Sequence, residues 1–274
     1  MDYTAEIAIG LRRNPRESLS YAVSKLTSPL DFPSNFEHII IKPSIYDPDL
    51  IGNTNPEVVG AIIPLFESLA PISIVESDNP LRSVSTAFRK CGYDSFSQAG
   101  VRLVNLSQEP RQKMVLPGNY FKHYDMPKLL QSKPLIINVP TMKIEQNDVI
   151  VGAGIKNLFG LLPEVDKRVY HEHLSDILMD LLIVFRPHIT IVDLTKIVVG
   201  PREDGITRDG EAILVSRDPV AIDALCADLM GLNPMKIDFL KKAHALGLGE
   251  AIIDRIRLIG TETQKAKLYD LCRF

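Results

Sequence analysis

The chain reads as an α/β protein with a mainly parallel or mixed sheet and helices on both faces. Three observations predict it. Short β-rich runs recur along all 274 residues, segments of helical periodicity separate them, and several runs are apolar on both faces, as strands of a sheet covered on both sides are. The strand candidates are 5–10, 38–43, 72–77, 101–106, 134–140, 189–194, 212–217 and 255–260, and the helix candidates are 15–28, 56–70, 81–92, 172–186, 219–230 and 235–246. A hydrophobic content of 45% is ample for a buried core. No Gly/Ser linker or low-complexity tract divides the chain, so residues 1–274 are expected to form a single α/β domain. The polar, proline-punctuated stretch at about 107–130 is the place for an insertion or subdomain.

The helices carry clear local signals. In 172–186, Leu174, Ile177, Leu178, Leu181, Leu182 and Phe185 form one apolar stripe, and His173, Asp176 and Asp180 share the other side. In 219–230, Asp218 suits the N-cap, Pro219 the first helical position and Gly231 the stop. Cys226 lies in the apolar stripe of that helix and reads as core. Asp223 flanks the same stripe, and a buried carboxylate there needs a partner.

Composition narrows the function. A formal net charge of −3 provides no bulk field for nucleic acid or an anionic membrane surface, so neither partner is expected. Cys91, Cys226 and Cys272 are far apart and form no C-x-x-C, so neither a disulfide framework nor a self-contained zinc or iron–sulfur site is visible. No apolar run approaches the roughly 20 residues of a membrane span, and "MDYTAEIAIG" lacks the pattern of a signal peptide. A cytoplasmic location fits these features.

Ligands of parallel sheets bind beyond the carboxyl ends of the strands. There the sequence delivers Lys42, then Glu76 and Asp78, then Asn138, Thr141 and Lys143, then Asp193 and Lys196. Lysines and carboxylates thus converge on one rim, which would favour a small anionic molecule. The stretch "VGAGIKNLFG" completes neither a Walker A loop nor a dinucleotide fingerprint. Its Gly152 and Gly154 instead predict a turn opening a short helix, whose amide groups, with Lys156 and Asn157, point toward an anion. His171 and His173 in "VYHEHL" are candidates for general acid/base work, together with Asp193 or Glu76. Two histidines at that spacing match no zincin signature and fix no third ligand, so no metal site is assigned. Lys42, Lys143 and Asp223 complete the candidate ligand-binding set.

The ordered segments "IIIKPSIYD", "TNPEVVGAII", "ISIVESD", "GAGIKNLFGLLPEVDKRVYHEHL", "ITIVDLTKIVVGPREDG" and "ILVSRDPVAIDALCADLMGL" resemble the domain-of-unknown-function family 362, over about residues 38–250. The resemblance implies family motif positions at Lys42, Thr54, Pro56, Lys156, Asn157, Gly160, His171 or His173, Asp193, Gly205, Asp218 and Asp223. It also implies an association with ferredoxin-like iron–sulfur segments. The chain lacks their clustered cysteines, so no iron–sulfur cluster is expected on this chain alone, and any cluster would come from a separate ferredoxin-like protein. Ser44 and Asn55 stand where the family often has asparagine and histidine, and the missing histidine argues against a histidine-based metal centre. Three functions remain open: an anion-binding enzyme using acid/base chemistry, a non-catalytic accessory or carrier protein working with a separate ferredoxin-like iron–sulfur partner, or a nucleotide-binding regulator, which the incomplete phosphate-loop fingerprints disfavour. The cofactor is unknown.

Overall fold

The computed structural model describes residues 4–28, 30–32, 36–145, 150–200 and 205–272. The first half runs β1 (Ala5–Leu11), α1 (Pro15–Lys25), β2 (Ile39–Pro43), α2 (Pro56–Phe66), β3 (Ile72–Glu76), α3 (Val84–Lys90), α4 (Ser95–Gln98) and β4 (Arg102–Asn105). Next come β5 (Arg111–Val115), β6 (His123–Pro127), α5 (Lys128–Gln131), β7 (Leu135–Val139), β8 (Thr141–Glu145), β9 (Ile150–Gly152) and the single helical turn α6 (Gly154–Asn157). The remainder is α7 (Leu174–Val184), β10 (Ile189–Val199), β11 (Ile206–Ser216), α8 (Pro219–Leu229), α9 (Asp238–Ala245), β12 (Ile256–Ile259) and α10 (Glu262–Cys272).

Ten strands share one mixed sheet in the order β12-β1-β11-β10-β7-β2-β3-β4, with β8 beside β10 and β9 beside β8. The pairs β10·β7, β7·β2, β2·β3 and β3·β4 are parallel. Strand β11 runs against both β10 and β1, so it is the reversed strand within that order. The carboxyl ends of β1, β2, β3, β4, β7 and β10 therefore face one side.

Helices cover both faces. Leu19 of α1, Val58 and Ile62 of α2, and Val84 and Phe88 of α3 pack with Ile39, Ile41, Ile74 and Ile137 on one face. Leu178 and Leu181 of α7, Ile222 and Leu225 of α8, and Leu240 of α9 pack with Ile40, Val75, Ile136 and Val192 on the other. Each such side chain taken out of water contributes roughly 1.5–3 kcal/mol. Three helices start with one sequence device, a capping residue followed by proline. Asn14 accepts the Glu17 amide, Asn55 the Glu57 amide, and Asp218 the amides of Val220 and Ala221, supplying partners that a helix start otherwise lacks. No helix among the described residues is long and apolar enough to cross a membrane.

Within the 107–130 stretch, β5 and β6 form a separate two-stranded antiparallel sheet. It changes the reading of α7. Asp180, expected on the polar side of that helix, is 1% exposed and accepts the amides of Asn119, Tyr120 and Phe121 at 2.7, 3.0 and 2.7 Å. A Cβ on Gly118 would sit 1.9 Å from the Asp180 carboxyl, so only glycine permits the loop to close over it. Asp180→Asn keeps one acceptor and turns an NH2 toward an amide. It is expected to cost about 1–2 kcal/mol and to speed hydrogen exchange at residues 119–121, read by exchange mass spectrometry.

Candidate functional site

The site starts from a polar row across the sheet interior. Lys42 of β2 is in register with Asn138 of β7, Asn138 with Thr190 of β10, and Thr190 with Ser216 of β11. All four are essentially inaccessible to water, and buried polar groups need partners. Asn138 Nδ2 donates to the Gly154 carbonyl at 2.8 Å, and Asn157 Nδ2 donates to Asn138 Oδ1 at 2.8 Å and to the Lys42 carbonyl at 3.0 Å. The "GIKN" turn is thereby stitched to the ends of β2 and β7.

Lys42 Nζ lies 2.9 Å from Glu76 Oε2 and donates to the Pro43 carbonyl at 2.7 Å. Both side chains are buried. Burial lowers the Lys42 pKa, and the Glu76 carboxylate opposes that shift. Glu76 also accepts the Ser77 amide at 2.9 Å and the Ile45 amide at 3.3 Å. A Cβ on Gly160 would come within 2.8 Å of Lys42 Cε and Nζ and 3.2 Å of Glu76 Oε1, so this glycine lets the backbone lie directly on the ion pair.

Two further cations lie near that ion pair, and the sequence reading passed over both. Arg82 is 8% exposed; Nη1 donates to the Ser77 carbonyl at 2.5 Å, Nη2 to the Ile45 carbonyl, and Nε to the Tyr46 carbonyl at 3.0 Å. Lys167 Nζ donates to Ser77 Oγ at 2.9 Å, the Asp78 carbonyl at 3.3 Å and the Glu164 carbonyl at 2.5 Å. Unlike Lys42 and Arg82, Lys167 remains partly exposed. Partial burial pulls its pKa down to about 8, against the pull of Glu76 and Glu164 and with the help of Lys42 and Arg82. Lys167 lies inside "PEVDKRVYHEHL", a loop without strand-end periodicity, so position in the sheet gave no signal for it.

The remaining candidates divide between this cluster and structural duties. Lys143 is 6% exposed and reaches Ser44 Oγ at 3.1 Å, two residues beyond Lys42. Lys156, partly buried, precedes the bridging Asn157. Gly152 pairs with Lys143 in the β8·β9 ladder. Thr141 donates to the Gly52 carbonyl at 3.0 Å, and Asp78 accepts the Val84 amide at 2.7 Å and Asn105 Nδ2 at 3.0 Å.

Asp223 is fully buried, and Oδ1 and Oδ2 accept the amides of Gly154 and Ile155 at 2.5 and 2.8 Å. The two turn amides expected to face an external anion are thus already bonded to an internal one. A Cβ on Gly154 would lie 2.7 Å from Asp223 Oδ1, which explains the glycine. Burial pushes the Asp223 carboxyl up to about 7, against the two amide hydrogen bonds.

Asp193, also buried, accepts the Asn55 amide at 2.7 Å and the amide and hydroxyl of Thr195 at 2.9 and 2.6 Å. Burial raises its pKa against those bonds. Together with Thr54, whose hydroxyl donates to the Val139 carbonyl at 2.7 Å, it pins the start of α2 to the strand ends.

His171 and His173 are exposed in the 3-10 turn Arg168–His173. The His171 ring packs 5.7 Å from Phe159 and the His173 ring 5.0 Å from Tyr120. Among the described residues neither imidazole hydrogen-bonds Glu76 or Asp193, so the acid/base pairs expected from the sequence are not assembled. His171 nevertheless stands beside the segment that covers the Lys42–Glu76 pair, because Phe159 adjoins Gly160.

The cysteines do not fit an iron–sulfur cluster. Cys226 and Cys272 are buried in the core beneath α8, whereas Cys91 packs against the opposite face of the sheet, so the three thiols cannot converge. Among the described residues no three His, Cys, Asp or Glu side chains gather as a metal set. A family model described as a domain of unknown function, DUF362, matches residues 39–228. That span contains the whole Lys42–Glu76–Arg82–Lys167 cluster. No curated protein matches the chain.

Proposed function

The chain belongs to the domain-of-unknown-function family DUF362, and from that premise we propose that it binds a small anionic metabolite at the carboxyl ends of β2 and β3. One observation carries this reading: three cationic groups, Lys42, Arg82 and Lys167, lie close together in a poorly hydrated setting, with Glu76 paired to Lys42 and Glu164 facing Lys167 as the carboxylates beside them. Such a cluster carries excess positive charge where electrostatic interactions are screened little, and an anion at its accessible edge relieves it. Lys167 is that edge. Lys42 and Glu76 act as the fixed floor, with Gly160 laid across them, and Lys143 and Lys156 add positive charge nearby. His171, beside Phe159, is the titratable group available at the lip for proton transfer, because Asp193 and Asp223 are committed to backbone amides.

Lys167→Met removes the accessible cation and leaves the buried pair in place. It is expected to weaken binding of a small dicarboxylate such as oxalate by roughly 10–100-fold, the equivalent of one charge-assisted hydrogen bond of about 1.5–3 kcal/mol. Titration calorimetry at low ionic strength, with circular dichroism to confirm the fold, measures it. Failure of the native chain to bind oxalate, phosphate and glyoxylate alike would sink the proposal.

A further inference from the structure

We infer that residues 165–169 form a gate over the carboxyl end of β3, latched by Lys167; that the gate serves an anion rests on the reading above. The neck of this loop is fixed on the β5–β6 ribbon. On one side Glu164 accepts Arg111 Nη1 at 3.0 Å and the Tyr124 hydroxyl, and Arg111 Nη2 donates to the Pro163 carbonyl at 3.1 Å. On the other side the Tyr170 hydroxyl meets the same Tyr124 hydroxyl at 3.1 Å, and its ring packs 5.6 Å from Phe121 and 6.5 Å from Phe159. Tyr124 thereby ties both ends of the loop together.

Between those anchors no apolar side chain holds the loop down. Val165 and Val169 are 47% and 69% exposed, and Asp166 and Arg168 pair with each other at the surface. Among the described residues, no main-chain to main-chain hydrogen bond ties 165–169 to a segment beyond its own neck. Lys167 alone reaches inward. Its ammonium donates to Ser77 Oγ at 2.9 Å and the Asp78 carbonyl at 3.3 Å, both just past β3, and to the Glu164 carbonyl at 2.5 Å.

An ammonium has three protons, and here all three are taken. An anion can therefore bond Lys167 only when the latch is released. A segment with few buried apolar contacts opens locally at low cost, and this loop can swing on its neck without disturbing the core. Gly160 and the buried Leu161 and Leu162 stay on the Lys42–Glu76 floor. What opening uncovers is Ser77, 3% exposed in the closed form and adjacent to Glu76, while Nζ becomes free to meet a ligand at the same place.

The test uses the full chain carrying Ser77→Cys, iodoacetamide as an uncharged probe, and peptide mass spectrometry to locate the adduct. The thiol at position 77 is expected to alkylate at least about 10-fold more slowly than in the urea-unfolded chain. Adding Lys167→Met is expected to speed it by roughly 10-fold, because methionine leaves three oxygens without a donor until the loop opens to water. Losing a neighbouring cation makes a thiol less ionised and slower, so the expected acceleration runs against the electrostatic effect. Lys167→Gln keeps two donor protons and is expected to fall between the two rates. The buried Cys226 is expected to stay unlabelled in every variant, which reports an intact fold. Asp166→Asn breaks only the surface pair and is expected to change nothing; an acceleration equal to that of Lys167→Met would overturn Lys167 as the latch. Labelling at position 77 that neither Lys167 substitution accelerates overturns the gate. Because iodoacetamide carries no charge, that result leaves oxalate binding by calorimetry standing, whereas acceleration without oxalate binding overturns the anion reading and leaves the gate.

Discussion

Glu76→Ala is expected to destabilise the protein by about 3–5 kcal/mol, the range for breaking a buried ion pair by removing one partner. Lys42 would remain 1% exposed under Gly160, with only the Pro43 carbonyl of its two hydrogen-bond partners left. The orphaned ammonium can escape only by shedding its proton, which from pH 7 costs at most roughly 5 kcal/mol. Loss of the carboxylate therefore lowers the folded-state pKa of Lys42 further below its unfolded value. A depressed lysine pKa means that the unfolded chain binds the extra proton, so the variant is expected to regain stability as pH rises from 7 toward 10. Urea denaturation across that range measures both effects. Pairing Glu76→Leu with Lys42→Met is expected to recover much of the loss, because two apolar side chains need no partners. A loss under about 1 kcal/mol for Glu76→Ala would mean that the pair does not hold the strand ends together.

Asp223→Ala is expected to cost about 3 kcal/mol, combining two buried amides left without acceptors and a small cavity beneath α8. The pH dependence is the sharper measurement. The folded carboxyl sits near 7, well above the ordinary aspartate range, so between about pH 4 and pH 7 the unfolded chain releases a proton that the folded chain keeps. By linkage, the contribution of Asp223 to stability falls as pH rises through that window. The stability difference between the native chain and Asp223→Asn is expected to change by on the order of 1 kcal/mol per pH unit there, in favour of the native chain at lower pH. A flat difference from pH 4 to 7 would show that the Gly154 and Ile155 amides hold Asp223 ionised throughout.

The architecture was legible where hydrophobic periodicity spoke alone. "HIIIKP", "ISIVE" and "PLIINVP" became adjacent parallel strands because their residues are apolar toward both helical layers. Strands β5 and β8 were not legible. "RQKMV" and "TMKIE" interleave charge with apolar residues and resemble loop sequence until a partner strand is present. The reversal of β11 was hidden because apolar runs carry no direction. Helix α10 was missed because its buried face rests on little more than Leu268 and Cys272.

The candidate site divides in the same way. Lys42, Glu76, Asn138 and Asn157 were visible as polar residues ending apolar strands or opening a turn. The engagement of Asp193 with Asn55 and of Asp223 with Gly154 and Ile155 was not. Those acceptors meet main-chain amides from distant segments, and an amide leaves no mark in the amino-acid code. Arg82 and Lys167 lie in loops whose reach toward Glu76 is set by tertiary folding.

The position of β1 has a consequence for how the molecule is made. Its two neighbours in the sheet are β11 and β12, so β1 leaves the ribosome well before either partner, and β11 begins only some 195 residues later, counting from Leu11 to Ile206. At ordinary elongation rates that is a wait of roughly 10–40 s. Strands β2, β3, β4 and β7 pair among themselves in the meantime. The nascent chain thus carries the apolar β1, through Ile7 and Ile9, unpaired beside a half-built sheet, the interval in which a holding chaperone would have a binding segment.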